Sequence, residues 1–132
     1  MRRPETPASE RARVLIIDDS EDITGSVKLG LESTGLTSVD AYNDPVEAVK
    51  KFKAGVYTLV VLEVGMPKMN GFNVYRELRM VDKEVRICLL TAFDIQDEDF
   101  TKMFPEVEVC KVLRKPISMN ALVGQLNQLL VV

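Results

Sequence analysis

The chain has 132 residues, 46% of them hydrophobic, enough for one domain with a substantial core and too few for a second domain of ordinary size. Its 17 basic and 20 acidic residues leave a formal charge of -3, so no field strong enough to collect nucleic acid or an anionic membrane surface is expected. Histidine is absent, which removes the commonest metal ligand and the commonest general base near neutral pH, and no apolar run approaches the roughly 18 residues of a membrane span.

Residues 1–12 are rich in Pro, Ser, Thr and charge and hold nothing that could pack, which predicts a flexible tail ahead of a single domain over residues 13–132. Arg2 and Arg3 are followed by polar residues rather than a signal-peptide core, so a cytoplasmic location is expected. From Val14 onward, short runs of β-branched and aliphatic residues alternate with longer segments whose apolar residues recur every three or four positions. Strands are predicted over 14–17, 37–41, 58–62, 86–91 and 109–113. Three of them are almost continuous in Val, Ile and Leu, as parallel strands covered on both faces are.

Between the strands, the first helix carries Ile23, Val27 and Leu31 on one side. Gly25 and Gly30 weaken it by about 1 kcal/mol each relative to Ala, and Gly35 is placed to close it. Asp44, Pro45 and Glu47 supply a cap, a first-turn proline and an early acid, so the second helix begins near Asp44 and turns Val46, Val49 and Phe52 inward. The last helix presents Met119, Leu122, Val123, Leu126 and Leu130, and residues 129–132 suit the end of that buried face, a continuation of the chain or a dimer contact. Cys88 and Cys110 lie in apolar runs, where cysteine behaves as a small core residue. Five strands alternating with five helices through right-handed crossovers make an α/β doubly wound parallel sheet.

In such a sheet, ligands bind beyond the carboxyl ends of the strands. Asp18 and Asp19 follow the first strand, Glu63 the third, Thr91 closes the fourth, and Lys115 with Pro116 follows the fifth. Adjacent carboxylates suit a hard cation such as Mg²⁺, but together with Ser20 they equally cap the next helix. Glu63 ends so apolar a run that it is either emerging at the rim or buried at a cost, and it needs a partner; Lys115 could be that partner or could hold a phosphoryl oxygen. The first turn is acidic rather than glycine-rich, which argues against a nucleotide or flavin cradle.

Taken together, Val14-Leu15-Ile16-Ile17-Asp18-Asp19, Met66-Pro67-Lys68-Met69-Asn70-Gly71-Phe72, Thr91-Ala92 and Lys115-Pro116 resemble the receiver domains of bacterial and archaeal response regulators, from about Arg13 to the C-terminus. The resemblance implies a flavodoxin-like fold with strand order 2-1-3-4-5. It also implies that Asp18, Asp19, the residue-63 carboxylate and the Gly65 carbonyl hold Mg²⁺, while Thr91 and Lys115 contact a phosphoryl group delivered by a sensor histidine kinase or phosphotransfer protein. The family has its phosphate-accepting aspartate three residues before the Met-Pro pair, where this chain has Glu63. The extra methylene displaces the nucleophilic oxygen by more than about 1 Å, and a misplacement of that order can cost about 10²-fold in rate, so little or no ordinary phosphotransfer is expected.

Val112 stands where the family often has an inward-turning aromatic residue, a departure that puts the aromatic part of the switch in question. Output is expected through the fourth helix, fifth strand and fifth helix, a face that could also form a homodimer, toward a downstream protein target or an output domain outside these residues. Two functions follow. In one, Glu63 stands in for the phosphorylated acceptor as an imperfect mimic; in the other, the chain is a phosphorylation-independent interaction module in which Glu63 and Lys115 form a structural ion pair.

Overall fold

A computed structural model describes residues 12–92 and 111–131, and the structural statements below concern those residues. They form five strands, β1 (Ala12–Ile17), β2 (Thr37–Tyr42), β3 (Leu59–Glu63), β4 (Arg86–Thr91) and β5 (Lys111–Arg114), and four helices, α1 (Glu21–Glu32), α2 (Pro45–Lys51), α3 (Gly71–Val81) and α4 (Met119–Leu130). All the strands are parallel, in the order β2-β1-β3-β4-β5. The helix expected between the fourth and fifth strands, the start of the fifth strand, and Cys110 lie outside the described residues, as do residues 1–11.

The period-two alternation of the strands divides the core into two layers. Val14, Ile16, Leu59, Val61, Cys88 and Leu90 meet Val27 and Leu31 of α1 and Leu122 and Leu126 of α4 on one face. Leu15, Ile17, Val60, Leu62, Ile87 and Leu89 meet Ala48 of α2, Phe52 just after it, and Val74, Tyr75 and Leu78 of α3 on the other. Because both faces are covered, β3 is buried along its whole length and β1 and β4 nearly so. Each such side chain contributes about 1.5–3 kcal/mol of burial.

Helix starts follow the capping chemistry. Ser20, Asp44, Asn70 and Ser118 each accept a backbone N–H from the first turn of α1, α2, α3 and α4, at Ile23, Val46, Asn73 and Ala121. Gly35 takes a left-handed conformation (φ 75°) in the turn after α1, as the stop position requires. Gly30 has a packing reason to be glycine, since a Cβ there would come within 2.7 Å of Val123 Cγ2 on α4.

Three expectations shift. The third strand ends at Glu63 rather than Leu62, because Glu63 pairs with Leu90 and the next residue, Val64, still donates its N–H to Leu90 O at 3.0 Å. In α2 the inward stripe is Pro45, Ala48 and Phe52, with Val46 exposed, because a start at Pro45 turns residue 46 about 100° out of the i, i+3, i+7 row. At the C-terminus Leu129 and Leu130 pack against the core layer, but Val131 is exposed.

Candidate functional site

The carboxyl ends of β1, β3, β4 and β5 deliver Asp18, Glu63, Thr91 and Lys115 to one rim. Asp18 continues the ladder of β1 by donating its N–H to Tyr42 O at 3.1 Å, and its side chain is fully buried. Its Oδ1 accepts the Ser20 N–H at 2.9 Å and its Oδ2 accepts Lys115 Nζ at 3.0 Å. A buried carboxylate is tolerable only when so satisfied. Asp19, one residue on, is exposed at the mouth.

Glu63 is also buried, at 5% exposure. Its Oε1 accepts the Gly65 N–H at 3.3 Å. Its Oε2 lies 3.2 Å from Lys115 Nζ, close enough for charge attraction but without the alignment of a hydrogen bond. Lys115 therefore bridges two buried carboxylates, with about a fifth of its side chain open to solvent. Burial, helped by Asp18, raises the Glu63 pKa above the ordinary glutamate value, outweighing the pull of Lys115 and of the Gly65 N–H. Burial works against the Lys115 ammonium, but Asp18 and then Glu63 outweigh it and hold its pKa above the ordinary lysine value.

The backbone holds these groups tightly. Lys115 donates its N–H to Thr91 O at 2.7 Å, so residue 115 extends the β4 and β5 ladder, and Thr91 is itself buried. The Lys115-Pro116 peptide is cis. Behind Glu63, Gly71 donates to Val64 O at 2.8 Å as α3 begins, and a Cβ on Gly71 would lie 2.6 Å from both Glu63 O and Val64 Cα. Only glycine permits α3 to start this close to the end of β3. Val112, the expected departure from an aromatic residue, is a half-buried member of the α2 and α3 layer.

Residues that the sequence reading passed over complete the rim. Asn43 donates through Nδ2 to Asp18 O and to Thr24 Oγ1, both at 2.9 Å, and so ties the acidic turn to the β2–α2 loop and to α1. Lys68 reaches Asp44 Oδ2 at 3.3 Å and joins the loop after β3 to the cap of α2. The available signal was position: an Asn between a strand and a helix cap has two donors to spend on neighbouring loops.

An all-oxygen donor set has the chemistry that Mg²⁺ takes. As arranged, however, both oxygens of Asp18 and Oε1 of Glu63 already accept hydrogen bonds, and an ammonium stands between the two side chains. Among the described residues no three acidic side chains are grouped to hold a metal ion. The positive charge at the centre is Lys115. No helix among these residues is long and apolar enough to cross a membrane.

Comparison with known proteins agrees with the sheet order. A family model described as the response regulator receiver domain matches residues 14–127. The transcriptional regulatory protein PrrA of Mycobacterium tuberculosis is 30% identical over 118 residues, 89% of this chain and 49% of that protein. The chain spans about half the length of the curated relatives it matches. Among solved structures, the non-phosphorylated HemR receiver domain of Leptospira biflexa superposes with a TM-score of 0.82 at 22% identity, covering 92% of this chain and 96% of that one. The response regulator TrrA of Thermotoga maritima, solved in complex with Mg²⁺-BeF, is 30% identical with a TM-score of 0.70, over 89% of this chain and 98% of that one.

Proposed function

The chain belongs to the response regulator receiver domains, and from that premise we propose that it is a signalling module in which Glu63 stands at the phosphate-accepting position and takes the place of the phosphorylated side chain. The observation that carries this is the contact of Glu63 Oε2 with Lys115 Nζ at 3.2 Å. The family resemblance gives Lys115 to a phosphoryl oxygen; here a carboxylate from residue 63 itself engages that cation. The mimic carries one negative charge where a phosphoryl group carries nearly two, so it biases the switch less strongly than phosphorylation does.

Signalling of this kind runs through protein contact. The partners proposed are a sensor histidine kinase or phosphotransfer protein upstream and a target protein or output domain downstream. The face that includes β5 and α4 is proposed for output or self-association. A cytoplasmic location fits such partners. Mg²⁺ held by Asp18, Asp19, the residue-63 carboxylate and the Gly65 carbonyl is proposed with these partners, supported by the family and by a relative solved with Mg²⁺-BeF; bound there, it would share or displace the contacts that Lys115 and backbone N–H groups now make with Asp18 and Glu63.

A second function rests on that same arrangement: an interaction module of fixed conformation, in which Asp18, Lys115 and Glu63 form a closed ion triad. Comparing Glu63→Asp and Glu63→Gln with the parent chain separates the two. The mimic predicts that the parent binds its target without a phosphodonor, that Glu63→Asp binds only after acetyl phosphate and Mg²⁺, and that Glu63→Gln binds weakly. Equal binding by all three without donor contradicts the mimic and supports the fixed module.

A further inference from the structure

The acidic turn after β1 places Asp19 between two peptide groups, and both are held. On one side, the Asp18 carbonyl oxygen accepts a hydrogen bond from Asn43 Nδ2 at 2.9 Å. On the other, the Ser20 N–H donates to Asp18 Oδ1 at 2.9 Å. Peptide groups are planar, so holding the two that flank a residue fixes the direction in which its side chain leaves the backbone. Among the described residues no hydrogen bond or ion pair ties the Asp19 carboxylate itself, which is exposed at the mouth. Its place is therefore set by its backbone, and Asn43 supplies one of the two holds.

The Asn43 amide is itself anchored on α1. Its second Nδ2 hydrogen bond goes to Thr24 Oγ1, also at 2.9 Å. Thr24 is buried at 3% exposure, and its own hydroxyl hydrogen donates to Glu21 O at 3.3 Å, so toward Asn43 its oxygen accepts. The Asp18 carbonyl can likewise only accept. Two acceptors select the NH₂ end of the side chain and fix its orientation, and an aspartate at position 43 could serve neither.

We infer that Asn43 is a positioning residue for the acid pair. By fixing the Asp18–Asp19 peptide it sets where the Asp19 carboxylate stands beside Asp18 and residue 63, and through that the affinity of the turn for a divalent cation. The inference rests on the Mg²⁺ reading given above. Asn43 supplies no ligand in that reading and acts only through the turn. Groups that orient metal ligands in this way are worth about 10–100-fold in metal affinity.

The test titrates the 132-residue chain with Mg²⁺ alone and follows the amide resonances of Asp19 and Ser20. Asn43→Ala is expected to weaken binding about tenfold or more, and Thr24→Val to weaken it in the same direction. Thr24→Ser, which keeps the accepting oxygen, is expected to bind as the parent does. Ala48→Gly weakens the neighbouring helix α2 without touching either Asn43 contact, and is expected to leave the affinity unchanged. Parent-like affinity in Asn43→Ala or Thr24→Val, a Thr24→Ser chain as weak as Thr24→Val, or a loss in Ala48→Gly equal to that in Asn43→Ala would each overturn the inference. A parent chain whose Asp19 and Ser20 amides show no saturable shift would overturn the Mg²⁺ reading itself, and the inference with it.

Discussion

Lys115 Nζ lies 3.0 Å from Asp18 Oδ2, joining two residues 97 positions apart in the chain. This one contact closes the rim, because Asp18 follows the interior strand β1 and Lys115 follows the edge strand β5, two strands beyond the central β3. The same ammonium reaches Glu63 from the other side, so one cation balances two carboxylates delivered by different strands.

Removing that cation should be felt throughout the fold. Lys115→Met leaves Asp18 and Glu63 buried side by side without compensation, and breaking a buried pair costs about 3–5 kcal/mol. Lys115 is about one-fifth exposed, so a loss of about 2–3 kcal/mol is expected in urea unfolding at neutral pH. Adding Glu63→Gln to Lys115→Met should recover part of it, about 1 kcal/mol, because one charge fewer is stranded.

The pH dependence follows from Glu63. Its pKa is raised in the folded chain, by burial first and then by Asp18, so the folded state holds that proton more tightly than the unfolded state does. Ionised Glu63 therefore subtracts stability as pH rises from the ordinary glutamate value through the raised one. The parent chain should match Glu63→Gln in thermal stability below that window and fall behind it above. A parent chain that gained on Glu63→Gln over the same window would show that the Lys115 attraction, rather than burial, controls residue 63.

Two glycines should respond to alanine in opposite ways. At Gly71 the new Cβ would meet Glu63 O and Val64 Cα at 2.6 Å, and the required backbone shift should cost about 1–3 kcal/mol and move the amide resonances of Glu63 and Val64. At Gly25, inside α1, a Cβ meets nothing within 4 Å, and the better helix propensity of alanine should stabilise by about 0.5–1 kcal/mol.

Asp82 offers a test away from the rim. Its carboxylate accepts N–H groups from Gly55, Glu84 and Val85 at 3.1, 2.8 and 3.1 Å, joining the loop before β3 to the one before β4. Those bonds hold its pKa below the ordinary aspartate value. Asp82→Ala should lower the unfolding free energy by about 1–3 kcal/mol and speed amide exchange at Val85.

What could be read from the sequence was set by periodicity and by chemistry at strand ends. The apolar runs of β1, β3 and β4 announce strands buried on both faces, and Asp44-Pro45 announces the start of α2. Strand ends were less legible: Glu63 belongs to β3 because β4 pairs with it, and pairing is not written in a single strand. Val46 falls outside the buried row of Pro45, Ala48 and Phe52, and apolar identity alone does not say which of two adjacent i, i+3 rows meets the sheet. At the rim, the sequence named Asp18, Glu63, Thr91 and Lys115 and offered Lys115 as a partner for Glu63. That one lysine would serve both Glu63 and Asp18, and that Asn43 would pin the Asp18 carbonyl, depends on distances between loops that no local pattern encodes.

The most direct test of residue 63 as the altered acceptor is intact-mass measurement after incubation with acetyl phosphate and Mg²⁺. The parent chain is expected to take up no phosphoryl group. Glu63→Asp, with Asp18, Thr91 and Lys115 in place around it, is expected to take up one, and Glu63→Asn to take up none. Phosphorylation of the parent at Glu63, or a Glu63→Asp chain that stays unmodified, would contradict the account.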